Sequence, residues 1–183
     1  MSPVSRLKIP VSGIDHSQGA DAGRLVLVEY GDYQCPYCGQ AFPMVKRLQA
    51  ALGKDLKFVF RNFPLSEIHP EALSAAKYAE GSALQEKFWE MHDTLFENQG
   101  ALDQASLARY AEVLRLDVEA LGIASESPSV EERISNDFEG GVRSGVNGTP
   151  SFFLNGARYD GDWSYGPFLK ALKAELAEIK SRE

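Results

Sequence analysis

The stretch that most limits the fold runs LVLVEYGDYQCPYCGQAFPMVKRLQAAL, from Leu25 to Leu52. Its first part is a nearly continuous apolar run with β-branched Val26 and Val28, closed by Gly31 and Asp32. That pattern fits a strand buried on both faces. Phe42, Val45, Leu48 and Leu52 then recur at spacings of three and four, as on an amphipathic helix. Pro36 suits the first helical turn, where a missing N–H is harmless. Pro43 falls inside the helix and should kink it, and Gly53 is placed to stop it. Cys35 and Cys38, the two cysteines of the chain, thus fall where a buried strand hands over to a helix.

Such a pair can be a metal clip, a structural staple or a redox couple. A bridge between them closes a very small loop and restrains the unfolded chain little, and two cysteines make no disulfide framework. Zinc usually takes four ligands, and beyond this pair only His16, His69, His92 and carboxylates remain, with no second cluster. No metal is therefore expected. Redox chemistry fits the position best. Unpaired N–H groups and partial positive charge at a helix start favour a thiolate, which makes Cys35 the expected nucleophile. Cys38, one turn later, can attack the sulfur of Cys35 and resolve a mixed disulfide. Pro36 and Tyr37, between the two, set how the helix N–H groups face Cys35 and tune the relative stability of thiolate and disulfide.

Downstream, LKFVF at 56–60 reads as a second strand. Helical patterns follow at 70–78, 84–98, 103–116 with Asp103 as cap, near Val118, and 129–144 with Ser127 or Ser129 as cap. The period then changes. Gly148, Thr149 and Pro150 signal a turn, 151–154 a strand, Asn155-Gly156 a two-residue hairpin, and 157–160 its antiparallel return. A last helix at 165–179 carries Phe168, Leu169, Leu172, Leu176 and Ile179 as its stripe. Phe152 and Phe153 alternate across their strand, so at least one belongs to the core. Residues 1–24 are polar and broken by Pro and Gly; they read as an arm with one short edge strand near Ile9–Val11. The fold class is α/β. The expected domains are the arm 1–24, a core of 25–64 and 146–183, and an inserted helical subdomain at 65–145.

Composition excludes other classes. The net charge of -7 argues against a nucleic-acid partner, since phosphate binding needs clustered Lys and Arg. No segment reaches the roughly 20 apolar residues of a membrane helix. The opening MSPVSRLKIPVSGIDHSQGADAGR lacks the apolar core of a secretory signal. The expected location is cytoplasmic, or periplasmic if a signal was removed. No coiled-coil or swapped segment stands out, so a monomer is expected.

DYQCPYCGQAFP looks like the active site of the thioredoxin superfamily. The helical insertion, GTPSFFLNG and the arm segment GIDHSQG make the chain resemble the DsbA-like thiol:disulfide oxidoreductases, from about Leu25 to Ile179. The resemblance implies a thioredoxin-like fold with a helical insertion between its βαβ and ββα units. It implies that Cys35 is the exposed nucleophile, Cys38 the resolving thiol and Pro150 the superfamily's cis-proline opposite the dithiol. It implies that Thr149 offers backbone groups to a substrate chain by strand addition. Glu29 aligns with an acidic position beneath the active site and would accept or relay a proton; Pro43 matches the kinking proline. CPYC is the dipeptide familiar from glutaredoxins, without the histidine of strongly oxidising enzymes, and Thr149 replaces a frequent Val. Strong oxidising power is not expected.

Other residues read as follows. His69 reads as a helix cap or surface group, with substrate docking or proton handling as the alternative, and His92 as a satisfied or solvent-facing histidine. Trp163 and Tyr165 pack the last helix or form an apolar rim for substrate, with Trp163 the candidate for substrate binding. Arg61 reads as a solvated cation, with an acidic partner or a glutathione carboxylate as the alternative, and Glu67, Glu71 and Glu80 as exposed charges. The expected activity is exchange of a Cys35–Cys38 disulfide with protein disulfides or thiols, without a cofactor. Glutathione as partner to Cys35 alone, or a non-catalytic peptide-binding domain, are the alternatives.

Overall fold

In the computed structural model, residues 5–182 are described; the first four residues of the arm and Glu183 lie outside them. The elements are β1 (His16–Gly19), β2 (Leu25–Gly31), α1 (Pro36–Leu52), β3 (Leu56–Asn62), α2 (Ala72–Ala83), α3 (Phe88–Glu97), α4 (Gln104–Val113), α5 (Val118–Ser125), α6 (Pro128–Arg143), β4 (Ser151–Leu154), β5 (Ala157–Tyr159) and α7 (Tyr165–Arg182). The strands form one sheet in the order β1-β3-β2-β4-β5. β2 is its central strand, and every residue of it but Val26 is buried, as a strand covered on both faces requires.

Contacts divide the chain into two compact units. The first comprises 1–30, 40–61 and 140–183 and holds most of the sheet. Leu27 to Tyr30 pair antiparallel with Leu154 to Ser151, and β4 turns into β5 at Asn155 and Gly156, both with positive φ, as the hairpin signal demands. Phe152 and Phe153 are both buried. α7 lays Phe168 against Phe152 and stacks it on Tyr159 at 4.3 Å. Its stripe is deepest at Phe168, Leu172 and Leu176. Pro43 lies inside α1.

The edge strand of the arm is β1, not Ile9–Val11. His16 to Gly19 pair antiparallel with Phe60 to Lys57. Ile9 and Pro10 serve instead as backbone acceptors for Arg61: its guanidinium donates to their carbonyls, to Tyr30 Oη at 3.0 Å, and to both oxygens of Asp15 at 2.8 and 3.1 Å. Arg61 is therefore a buried ion-pair partner, not a solvated cation. Burial by itself lowers its pKa, but the hydrogen bonds to Asp15 and Tyr30 outweigh that and hold it above its ordinary value.

The second unit comprises 31–39 and 62–139. α2 packs on α3 and α5, and α4 joins the same bundle. Asp103 caps α4 by accepting from Ser106 N–H, and Ser127 Oγ accepts from Val130 N–H at the start of α6. Glu80 is not an exposed charge. It is buried in α2 and accepts from Asn62 Nδ2 at 2.6 Å, while Asn62 also donates to Asp137 from its backbone and side chain. A carboxylate on an otherwise apolar helix face needs such partners. Glu67 is exposed, and Glu71 is partly buried.

Candidate active site

The segment that links β2 to α1 is held from both ends of its backbone. Phe63 N–H donates to Gly31 O at 2.8 Å, which brings the exits of β2 and β3 together. Asp32 follows at once, and its side chain is completely buried. Its Oδ1 accepts the backbone N–H groups of Gln34 at 2.7 Å and Cys35 at 3.1 Å. Its Oδ2 accepts Leu65 N–H at 2.9 Å and faces His69 Nδ1 at 2.8 Å. Gln99 grips the other side of the segment: its Nε2 donates to the carbonyls of Tyr33 and Cys35, both at 2.9 Å. Gln34 in turn accepts Glu71 N–H at 2.7 Å.

Cys35 precedes α1 and Cys38 lies in its first turn. They are separate thiols. Gly39 N–H bonds to Cys35 O at 3.1 Å and sets the helical turn between them, and Asp32 N–H points to Cys38 Sγ at 3.4 Å. Cys35 is 3% exposed and Cys38 0%. The expectation of an exposed Cys35 is corrected: Asp32 and Gln99 draw its backbone inward. Tyr37, at 61% exposed, is the outward-facing residue of the motif, and Pro36 is exposed beside it.

The N–H of Cys35 donates to Asp32 Oδ1 at 3.1 Å and to Asp32 O at 3.2 Å. One further expectation changes. His69 is no surface group, because it bonds to the same carboxylate. Sequence reading passed over Asp32 and Gln99. Asp32 carried one usable signal, a capping-type residue just ahead of a helix. Its bonds to Leu65 and His69 and the reach of Gln99 span more than 30 residues and leave no local pattern. His92 is buried, with Nδ1 on Tyr33 Oη at 3.0 Å and its ring among Phe88, Trp89 and Phe96.

Glu29, Thr149, Pro150 and Trp163 belong to the first unit. Glu29 is buried on β2 opposite Phe152. The Thr149–Pro150 peptide is cis and leads into β4, with Ser151 Oγ donating to Gly148 O. Trp163 lines a cavity of about 300 Å³ with Gln40, Pro43, Met44, Arg47 and Tyr165. Arg47 stacks on the Tyr165 ring at 3.6 Å. Among the described residues no cluster of three or more His, Cys, Asp or Glu is placed to hold a metal ion.

A buried, backbone-clamped pair of cysteines between the central strand and a proline-interrupted helix is the arrangement of a thioredoxin-type fold. The chain belongs to the Thioredoxin family (Thioredoxin_4), whose pattern matches residues 12–174. Its fold is that of the DsbA-like members. A thioredoxin-like oxidoreductase from Silicibacter pomeroyi superposes with a TM-score of 0.80 at 26% identity, covering 93% of this chain and 94% of that one. α-DsbA1 from Wolbachia pipientis has a TM-score of 0.81 at 21% identity, covering 97% and 98%. Curated relatives include a protein named Na(+)/H(+) antiporter NhaA 1 from Mycolicibacterium vanbaalenii, 40% identical over 87% of this chain and 26% of that protein. A protein of the same name from Salinispora arenicola is 39% identical over 96% and 27%. The chain thus spans about a quarter of the length of these relatives.

Proposed function

We propose that this chain is a thiol-disulfide oxidoreductase that uses Cys35 as nucleophile and Cys38 as resolving thiol. The observation that carries the reading is the clamped dithiol, two sulfurs one helical turn apart on a segment fixed by Asp32 and Gln99. The Cys35 thiolate attacks a substrate disulfide. Its S–S bond breaks, one substrate sulfur leaves as thiolate, and the other joins Cys35. The Cys38 thiolate then attacks Cys35 Sγ and expels the second substrate thiolate. The substrate gains two electrons and the pair becomes a disulfide; the reverse order oxidises a dithiol substrate, with direction set by the partner couple.

Thr149 and Pro150 are proposed to pair with the substrate backbone, Trp163 to contact its side chains, and Glu29 to exchange the proton of the resolving thiol. These roles carry over from the resemblance. A protein of this fold from Salmonella enterica is described as periplasmic, which favours an extracytoplasmic site of action over the cytoplasm. Among the described residues no helix is long and apolar enough to cross a membrane. The relatives named as antiporters favour one further reading, in which a domain of this kind is the redox module of a larger transport polypeptide.

The test is a Cys38→Ser protein mixed with an oxidised disulfide-containing protein. A covalent mixed disulfide at Cys35 is expected to accumulate and to release on addition of dithiothreitol, while the Cys35→Ser protein forms none. Multiple turnover by Cys38→Ser with glutathione, at the rate of the unaltered protein, would favour single-cysteine glutathione chemistry instead.

A further inference from the structure

Asp32 sets an electrostatic problem for the nucleophile. Three backbone N–H groups donate to its side chain and His69 Nδ1 lies 2.8 Å from Oδ2, a set that an ionised carboxylate, which only accepts, can satisfy in full when the ring carries its proton at Nδ1. That negative charge is bonded to the backbone N–H of Cys35, and the residue's own N–H is bonded to Cys38 Sγ. A carboxylate so placed opposes ionisation of the neighbouring thiol. The dipeptide between the cysteines, Pro36-Tyr37, brings no charge to offset it.

The segments bonded to Asp32 carry several titratable groups. Its own segment carries Tyr33, Cys35 and Cys38. The segment after β3 carries His69, with Glu67 exposed and Glu71 presenting its backbone N–H to Gln34. α3 carries His92, whose Nδ1 is engaged with Tyr33. Among the described residues, His69 is the one group bonded to the Asp32 side chain that can become a cation. A ring protonated at both nitrogens donates to the carboxylate from Nδ1 and is cationic. The side chain keeps 17% of its surface exposed, which gives the added proton a route to solvent.

We propose that His69 is a positioning residue that acts through Asp32 as a counter-charge, setting how readily Cys35 ionises. With His69 cationic the pair is neutral overall and the thiolate forms more easily. With His69 neutral the Asp32 charge is uncompensated and holds the thiol protonated. This rests on Cys35 being the exchanging thiol, as proposed above. It makes the reactivity of Cys35 depend on a residue 34 positions away that acts through the Asp32 side chain.

The test is the rate of Cys35 alkylation by iodoacetamide between pH 4 and 9, in proteins that also carry Cys38→Ser. His69→Gln keeps a side-chain N–H for Asp32 and removes the charge. At pH 6 its alkylation is expected to be roughly tenfold slower, the effect of about one unit in the thiol's pKa. In an Asp32→Asn background the same substitution is expected to change nothing, because the charge to be balanced is gone. Should these variants fail to fold, the unaltered protein serves, since linkage is reciprocal. Converting the Cys35 thiolate to a neutral carbamidomethyl group should then lower the apparent pKa of His69 followed by NMR. Superimposable alkylation profiles for His69→Gln and its parent, with Cys35 reactive in both, or an unmoved His69 titration, would overturn the role of His69 and leave thiol exchange standing. A Cys35 that does not react at any pH in the parent protein would overturn the exchange reading itself.

Discussion

Gly39 follows the second cysteine, and a Cβ there would lie 2.0 Å from Gln99 Oε1. The crowding atom ends a flexible side chain, so the clash can be relieved, but that same amide holds the carbonyls of Tyr33 and Cys35. Moving it forfeits two hydrogen bonds worth about 0.5–1.5 kcal/mol each. In a helix freed of that contact, alanine is favoured over glycine by about 0.5–1 kcal/mol. Gly39→Ala is therefore expected to destabilise the protein by roughly 1–2 kcal/mol in urea unfolding. In a Gln99→Ala background the same change is expected to stabilise. Equal effects in both backgrounds would show that Gln99 does not bear on Gly39. The position of both cysteines was legible beforehand because strand and helix periodicity bracket them. The clamp was not, because Gln99, Leu65 and His69 reach the segment through tertiary packing that no short window records.

At the level of elements, the core strands and helices followed from apolar spacing and capping chemistry, as with Asp103 at α4 and Asn155-Gly156 between β4 and β5. The arm did not. HSQG has neither alternation nor β-branched residues, and it becomes β1 because it pairs along β3. Ile9–Val11 has better strand composition, yet two of its carbonyl neighbours are spent on Arg61. Charge patterning misled at Arg61 and Glu80 for the same reason. A charged residue at a strand end or mid-helix reads as solvated until its partner, here Asp15 or Asn62, is brought in from a distance. The Asp15–Arg61 pair gives this a measurable consequence. Both side chains are almost fully buried, at 5% and 3% exposed. Asp15→Ala strands a buried guanidinium and is expected to cost about 3–5 kcal/mol, read as a lower urea midpoint. Replacing both residues with apolar ones should recover much of that loss. A cost under about 1 kcal/mol would mean that water reaches the pair as it does at a surface ion pair.

For the whole molecule, the net charge of -7 acts on every partner before any side chain touches it. A surplus of negative charge attracts cationic partners and repels anionic ones, and salt weakens both effects because the screening length falls to about 8 Å at physiological ionic strength. The dithiol adds to this locally, since Asp32 is bonded beside it and Tyr37, its outward-facing neighbour, carries no charge. For the proposed exchange, such a field is expected to favour a neutral or basic protein disulfide over the anionic disulfide of glutathione. The sign of the salt dependence separates the two without relying on absolute rates, which also reflect the leaving thiol. Oxidation of the reduced protein by cystamine, a dication, is expected to slow as salt rises from about 10 mM to 500 mM, with the steepest change where the screening length drops from about 30 Å to 10 Å. Oxidation by glutathione disulfide should accelerate over the same range. If glutathione disulfide slows with salt, a local basic patch must override the net charge at the site. The glutathione-dependent reading would then gain the ground that the protein-disulfide reading loses.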